Sequence, residues 1–308
     1  MKSAVRALEA LRAAARPGWR VASLAFFLRS ILKAFRPRGK RVFSNLAMIY
    51  PESTKAWRED LRRRLYDHLG WMVAEILALQ RDPAQVLSWV EEVRGIGNLE
   101  AASQGEKGVL FVSAHYGNWE LLAAWYAQYL KSRGESRDFY IVSQNAKDRD
   151  IAALIERYRR NAGIKILPKN TSTLEMVRLL KSGGHVALLA DISWMEGVTL
   201  PFMGHDCAHT TGPAILGALA SVPIVPAAIY RKGPFRHAME FFPPLPVPRE
   251  KDRLCRIELL TRSLSGAIET MIAPRPELWF WLHNRWKQRK RGRPDRDLRS
   301  RSDEAPRL

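Results

Sequence analysis

Cysteine is almost missing: Cys207 and Cys255 are the only two in 308 residues. The two cysteines show no metal-ligand spacing between them. That excludes a disulfide scaffold and a thiolate metal centre, and it suits a reducing compartment. Long hydrophobic runs are missing too. The best membrane segment, Val21–Phe35, has no charge-free stretch longer than Val21–Leu28, whereas a spanning helix needs ~20 apolar residues. No small-residue cleavage site follows it, so it does not read as a signal peptide. No Gly-x-Ser-x-Gly elbow is present, and Gly183-Gly184 precedes a strand pattern rather than joining strand to helix. A serine hydrolase and a phosphate loop are therefore not expected.

Acidic residues are scarce relative to basic ones: 31 Asp+Glu against 50 Lys+Arg, a net charge of +19. The excess sits at the two ends. Residues 1–41 carry eleven Lys/Arg against Glu9 alone, and 287–308 carry nine against four acids. A nucleic-acid reader would place its cations in a stripe with interleaved aromatics; here they crowd the termini around a near-neutral body, so no nucleic-acid partner is expected. Such ends prefer an anionic membrane surface or an acidic carrier protein. The charge divides the chain into a basic amphipathic segment over 1–40, a globular body over 41–287, and a basic, disordered tail over 288–308.

What is present reads as an ordinary globular chain, with 46% hydrophobic and 26% charged residues. As a helix, Val21, Leu24, Ala25, Leu28, Leu32 and Phe35 form one stripe flanked by Arg29, Lys33 and Arg36. The pattern fits a helix on an anionic bilayer surface, or one packed on the protein's own core with its cations solvated. Further on, strand patterns at 89–95, 108–114, 138–144, 164–167, 185–191 and 223–230 alternate with helical patterns. The alternation predicts an α/β fold with a central, mostly parallel sheet flanked by helices.

Chemistry concentrates in GVLFVSAHYGNWELLAAW, residues 108–125. A continuous apolar run, the signature of a strand buried on both faces, ends at Ala114. His115 follows at once, and Gly117 and Asn118 turn the chain into a helix. Sites in α/β sheets gather beyond the carboxyl ends of strands. Asn118 is placed to cap the helix. Glu120, in its first turn, is near enough to fold back on His115, and a carboxylate-held imidazole is a competent general base. Amides at the helix start could receive a developing oxyanion.

His115-Tyr116-Gly117-Asn118-Trp119-Glu120 resembles the His-x-x-x-x-Glu/Asp box of the bacterial late lipid A acyltransferases, within the lysophospholipid acyltransferase-like superfamily. Other segments agree in order: Arg41 to Glu52, Asp191 with Pro201-Phe202-Met203-Gly204, Thr210 to Ala214, and Trp279 to Lys287. The resemblance implies transfer of a fatty acyl chain from a thioester, acyl-acyl carrier protein above all, to a hydroxyl of a membrane glycolipid such as a lipid A precursor, without cofactor or metal. It implies work at the cytoplasmic face of a bacterial inner membrane, peripheral or shallowly inserted. His115 would be the base and Glu120 its orienting acid. Asn118 would cap the helix or help place the donor. Asp191 would cap a loop or orient the acceptor, and Arg160 and Arg285 would meet lipid phosphate or serve as a solvated and a stacked cation. Rival classes are an acyltransferase for another glycolipid or a lysophospholipid, and a non-catalytic membrane-surface protein.

Overall fold

The computed structural model describes residues 19–143 and 149–287; residues 1–18 and the expected tail over 288–308 lie outside them. Helices α1 (Trp19–Phe35), α2 (Gly39–Ile49) and α3 (Lys55–Leu79) come first, and a short turn and α4 (Val86–Trp89) lead into β1 (Val90–Arg94). Then follow α5 (Ile96–Ser103), β2 (Leu110–Ser113), α6 (Trp119–Ser132), β3 (Phe139–Ser143), α7 (Arg149–Asn161), β4 (Lys165–Pro168), α8 (Thr173–Lys181) and β5 (His185–Leu189). A hairpin, β6 (Ser193–Phe202) with β7 (His205–His209), stands apart from the main sheet. The chain ends with α9 (Gly212–Ala220), β8 (Ile224–Gly233), β9 (Arg236–Phe241) and α10 (Arg253–Ile272).

The main sheet has seven strands in the order β1-β9-β8-β2-β5-β3-β4, and β8 with β9 is its one antiparallel pair. The fold is α/β with a mostly parallel sheet, as the alternation predicts. The apolar runs alternate between two cores. Leu110, Val112, Ile224 and Ala228 face α2, α9 and α10. Phe111, Val225, Ala227 and Ile229 face α6 and α7. Burial on both sides explains why β2 and β8 read as unbroken hydrophobic runs.

Six elements escape the sequence pattern: α2, α4, α5, β9 and both strands of the β6–β7 hairpin. The hairpin carries Gly197 and Pro201, which read as breakers, and its register shifts between Ser193 and Val198. β9 alternates too loosely to signal a strand; its pairing with both β1 and β8 supplies the order.

Helix α1 packs on α3. Val21, Leu24 and Ala25 are buried there. At the crossing Gly70 leaves no room: a Cβ would lie 2.9 Å from the backbone nitrogen of Arg29. Arg29 and Lys33 both bind Asp67, at 2.7 and 2.9 Å. The N-terminal half of the apolar stripe is therefore spent on the protein itself, Phe35 at its end stays 81% exposed, and two of the flanking cations are paired. The side facing outward carries Phe26 and Phe27, 68% and 56% exposed. No helix among the described residues is long and apolar enough to cross a membrane.

Candidate active site

The loop between β2 and α6 is held from three sides. Gly117 adopts φ of 57°, and a Cβ there would lie 2.0 Å from the Ile229 carbonyl oxygen. Only glycine lets this loop press on β8. The Gly117 amide donates to the Leu278 carbonyl at 2.9 Å, and the Phe280 amide donates to the His115 carbonyl at 2.9 Å. Asn118 caps α6, its Oδ1 accepting from the Leu121 amide at 3.2 Å. Its Nδ2 donates to Glu75 Oε2 at 2.9 Å. Both ends of this fully buried amide are engaged, so Asn118 shapes the loop and does not reach a ligand.

The carboxylate that meets His115 is Asp191. His115 Nδ1 lies 2.7 Å from Asp191 Oδ1, and the His115 amide donates to Oδ2 at 3.0 Å. Trp279 Nε1 donates to the same Oδ2 at 2.8 Å. Strand register explains the meeting. Ser113 pairs with Leu189 in the parallel β2–β5 ladder, so His115 and Asp191 each stand two residues past equivalent positions. Asp191 is 1% exposed. Burial would raise its pKa, but the His115 charge and hydrogen bonds, with the hydrogen bond from Trp279, bring it down to about 2. His115 feels the converse. Burial would lower it, yet the Asp191 charge and hydrogen bond, with the Glu120 charge, leave it above its ordinary 6.5. An ionised carboxylate only accepts, so Nδ1 carries the proton and Nε2 is left as the basic nitrogen.

Glu120 does not steady His115, contrary to expectation. It forms a two-pronged pair with Arg159, whose Nε and Nη2 donate to its two oxygens at 3.0 and 2.6 Å. Arg159 also reaches Ser143 Oγ at 2.6 Å. Because α6 begins at Trp119, its first turn carries Glu120 toward α7 and away from Asp191. Arg159, which sequence reasoning passed over, is thus the arginine of the site. Its neighbour Arg160 is exposed and paired with Glu156. Arg285 is 1% exposed, donates to the Ala208 carbonyl and stacks over Phe202 at 4.8 Å. It is a packing cation, so the lipid phosphate considered for it has no access. Asp191 pairs with the His115 ring and, through Oδ2, also accepts the His115 amide, which is the loop-capping role expected for it.

Rings close around the imidazole: Trp119 at 5.0 Å, His283 at 5.2 Å and Phe280 at 6.1 Å between centroids. Trp279, Phe280 and His283 come from one segment, the Trp279 to Lys287 stretch that carries part of the family resemblance. Beside the dyad an apolar cavity opens between the sheet and α6, lined among others by Phe111, Trp119, Ala123, Tyr126, Ile141 and Ala187, with Glu120 and Arg159 at its polar end. An apolar slot next to a carboxylate-held imidazole suits a base acting on a substrate with a long hydrocarbon part.

Comparison with known proteins agrees. The model of the bacterial lipid A biosynthesis acyltransferase family matches residues 17–288. The chain belongs to that family. Two relatives show its breadth. A lipid A biosynthesis lauroyltransferase of Escherichia coli K12 is 23% identical over 270 residues, 86% of this chain and 84% of the relative. A phosphatidylinositol mannoside acyltransferase of Mycolicibacterium smegmatis is 22% identical over 200 residues, 63% of this chain and 62% of the relative. The protein is an acyltransferase. The family match takes in β2, α6, β5 and the aromatic segment after α10, the four parts that assemble the dyad.

Proposed function

We propose that this acyltransferase moves a fatty acyl chain from the thioester of an acyl carrier protein to a hydroxyl of a membrane glycolipid, with a lipid A precursor as the acceptor. The observation that carries the reading is the His115–Asp191 pair beside the apolar cavity. His115 Nε2 takes the hydroxyl proton as the oxygen adds to the thioester carbonyl. The tetrahedral oxyanion then collapses, the C–S bond breaks, and the imidazolium returns its proton to the departing thiolate. An ester and a free thiol result. The hydrocarbon tail occupies the cavity under α6.

The direct test incubates purified protein with acyl-carrier protein or acyl-coenzyme A, against a lipid A precursor and against a phosphatidylinositol mannoside. Mass spectrometry of the lipids and titration of released thiol are the readouts. Stoichiometric thiol and new acyl ester on the lipid A precursor are expected. Thiol release with free fatty acid alone would mean hydrolysis and sink the proposal. Acylation confined to the mannoside would move the acceptor class.

Chain length offers a second test. Ala187 sits between Phe111 and Ile141 across the ladder, a small residue in the floor of the cavity. Ala187→Phe fills that floor. Preference is expected to shift to shorter acyl chains, each CH₂ left without a place costing about 0.8 kcal/mol, roughly four-fold in relative rate. An unchanged preference across a donor series would place the tail elsewhere.

The reading puts the protein on the cytoplasmic face of an inner membrane, held peripherally. The outward Phe26, Phe27 and Phe35 are the groups of α1 left to enter a lipid interface. Phe26→Ser/Phe27→Ser removes no buried contact. It is expected to weaken binding to phosphatidylglycerol vesicles by about ten-fold or more, since a buried Phe is worth about 1.5–3 kcal/mol. Equal co-sedimentation with wild type would argue for another contact surface.

A further inference from the structure

We infer that Arg38 and Arg41 form a phosphate-binding subsite at the mouth of the catalytic centre. The inference rests on the acyl-transfer reading and adds a chemical feature of the substrate to it. The two residues belong to Arg38-Gly-Lys-Arg41, where the chain turns from α1 into α2. Arg38, Arg41 and Asn45 recur at three- and four-residue spacing and so share a face. That face is fixed against the segment after α10. Asn45 Nδ2 donates to the Trp281 and His283 carbonyls, each at 3.0 Å. Arg38 Nη1 donates to the Leu282 carbonyl at 3.2 Å. The His283 ring lies 5.2 Å from the His115 ring. Arg38 is thereby held beside the neighbour of the catalytic base, and Arg41 follows three residues on along the same face. Their reach is felt there: burial holds the His283 pKa down, and His115, Arg38 and Arg41 add to the effect.

Pairing separates these cations from those that serve the fold. Arg29 and Lys33 are neutralised by Asp67, Arg159 by Glu120, and Arg231 by Glu75. Among the described residues, no carboxylate pairs with Arg38 or Arg41, and both are exposed. A cluster of uncompensated arginines at a reaction centre fits an anion with several oxygens, and guanidinium matches phosphate in geometry. That phosphate ester belongs either to the acceptor headgroup or to the pantetheine arm of the thioester donor.

The test measures transfer with the full chain and two matched substrate pairs. One pair is a phosphorylated glucosamine-disaccharide lipid and its dephosphorylated form. The other is an acyl-carrier protein and the acyl N-acetylcysteamine thioester, which has no phosphate. Arg41→Gln is the main variant, because Arg41 makes no hydrogen bond that supports the loop; Arg38→Gln is the second and Arg41→Lys the control. KM for the phosphate-bearing member of one pair is expected to rise about ten-fold, the worth of one charge-assisted hydrogen bond, with kcat little changed. The rise should vanish for its phosphate-free counterpart and be mostly restored by lysine. The pair that responds names the source. KM unchanged on all substrates, or raised equally with and without phosphate, overturns the subsite. Binding separates this from failure of the acyl-transfer reading. In the His115→Ala background, Arg41→Gln should still weaken capture of the phosphorylated lipid in dodecyl maltoside micelles, or of phosphopantetheine. Arg41-dependent capture without any turnover in wild type leaves the subsite standing and removes the transfer reading. Turnover without Arg41 dependence does the reverse.

Discussion

His115→Ala is expected to lower turnover by ~10²–10⁴, the usual worth of a positioned general base, with the fold intact because His115 lies in a loop and its ring is held by one side-chain hydrogen bond. Asp191→Asn is expected to come close to the same loss, on the order of 10³–10⁴, for a different reason. The Asp191 carboxylate accepts from the His115 amide and from Trp279 as well as from Nδ1. An asparagine can keep the first two contacts only by turning its NH₂ toward Nδ1. The ring then carries its proton on Nε2, where the lone pair is needed. The pH profile reports the same change. Asp191 and, more weakly, Glu120 raise the His115 pKa above 6.5 against burial; His283, Trp119 and Phe280 complete the surroundings. The base must be neutral, so wild-type kcat/KM should fall as pH drops through a value above 6.5. In Asp191→Asn burial acts with its main opponent gone, and the acid limb should move to lower pH. Glu120→Gln should move it less, since Glu120 acts through space. A limb that follows Glu120 rather than Asp191 would return the orienting role to the helix carboxylate.

The difference between these two acids shows where sequence reading stops. His115 was legible because it ends an apolar run and precedes a turn into a helix, all within a dozen residues. Asp191 was legible as a second strand end, but its partnership was not. The two residues are 76 positions apart, and nothing in the linear pattern says that β5 lies beside β2. Glu120 drew attention by nearness in sequence, yet a helix starting at Trp119 swings it toward α7. Arg160 and Arg159 are adjacent in the chain, and only the seating of α7 decides which one meets Glu120. Arg285 was legible as a shielded cation, but not as one wholly enclosed. The buried parallel strands were readable from composition, while β9 and the hairpin depend on neighbours that the pattern does not name.

The same reasoning applies to a charge that sequence reading passed over. Glu75 stands on α3 with no exposed surface, among hydrophobic neighbours. Its carboxylate accepts from Nη1 and Nη2 of Arg231, from His237 Nε2 at 3.1 Å, from the Phe235 amide at 3.2 Å and from Asn118 Nδ2 at 2.9 Å. Arg231 Nε in turn donates to His68 Nδ1 at 3.1 Å, and burial together with the Arg231 charge keeps His68 neutral, its pKa down to about 3. The network joins α3 and β8 to the cap of α6, so it holds the catalytic loop from beneath. Burial alone would raise the Glu75 pKa; the Arg231 charge and the hydrogen bonds of His237 and Arg231 hold it well below the carboxylate range instead. Glu75→Leu would leave Arg231, 8% exposed, as an uncompensated buried charge, and strip Asn118 and Phe235 of an acceptor. The expected loss in chemical denaturation is about 3–5 kcal/mol, and Glu75→Leu/Arg231→Met should recover much of it, because removing both charges avoids the unpaired one. A group with a depressed pKa stabilises above its unfolded value and loses that contribution as pH falls through the folded value. The gap between wild type and Glu75→Leu should therefore be constant from neutral pH down to about 4.5, the ordinary carboxylate value, and narrow only in stronger acid. A gap that narrows already near neutral pH, or a double variant no more stable than the single one, would mean that the ion pair is not what holds this part of the fold.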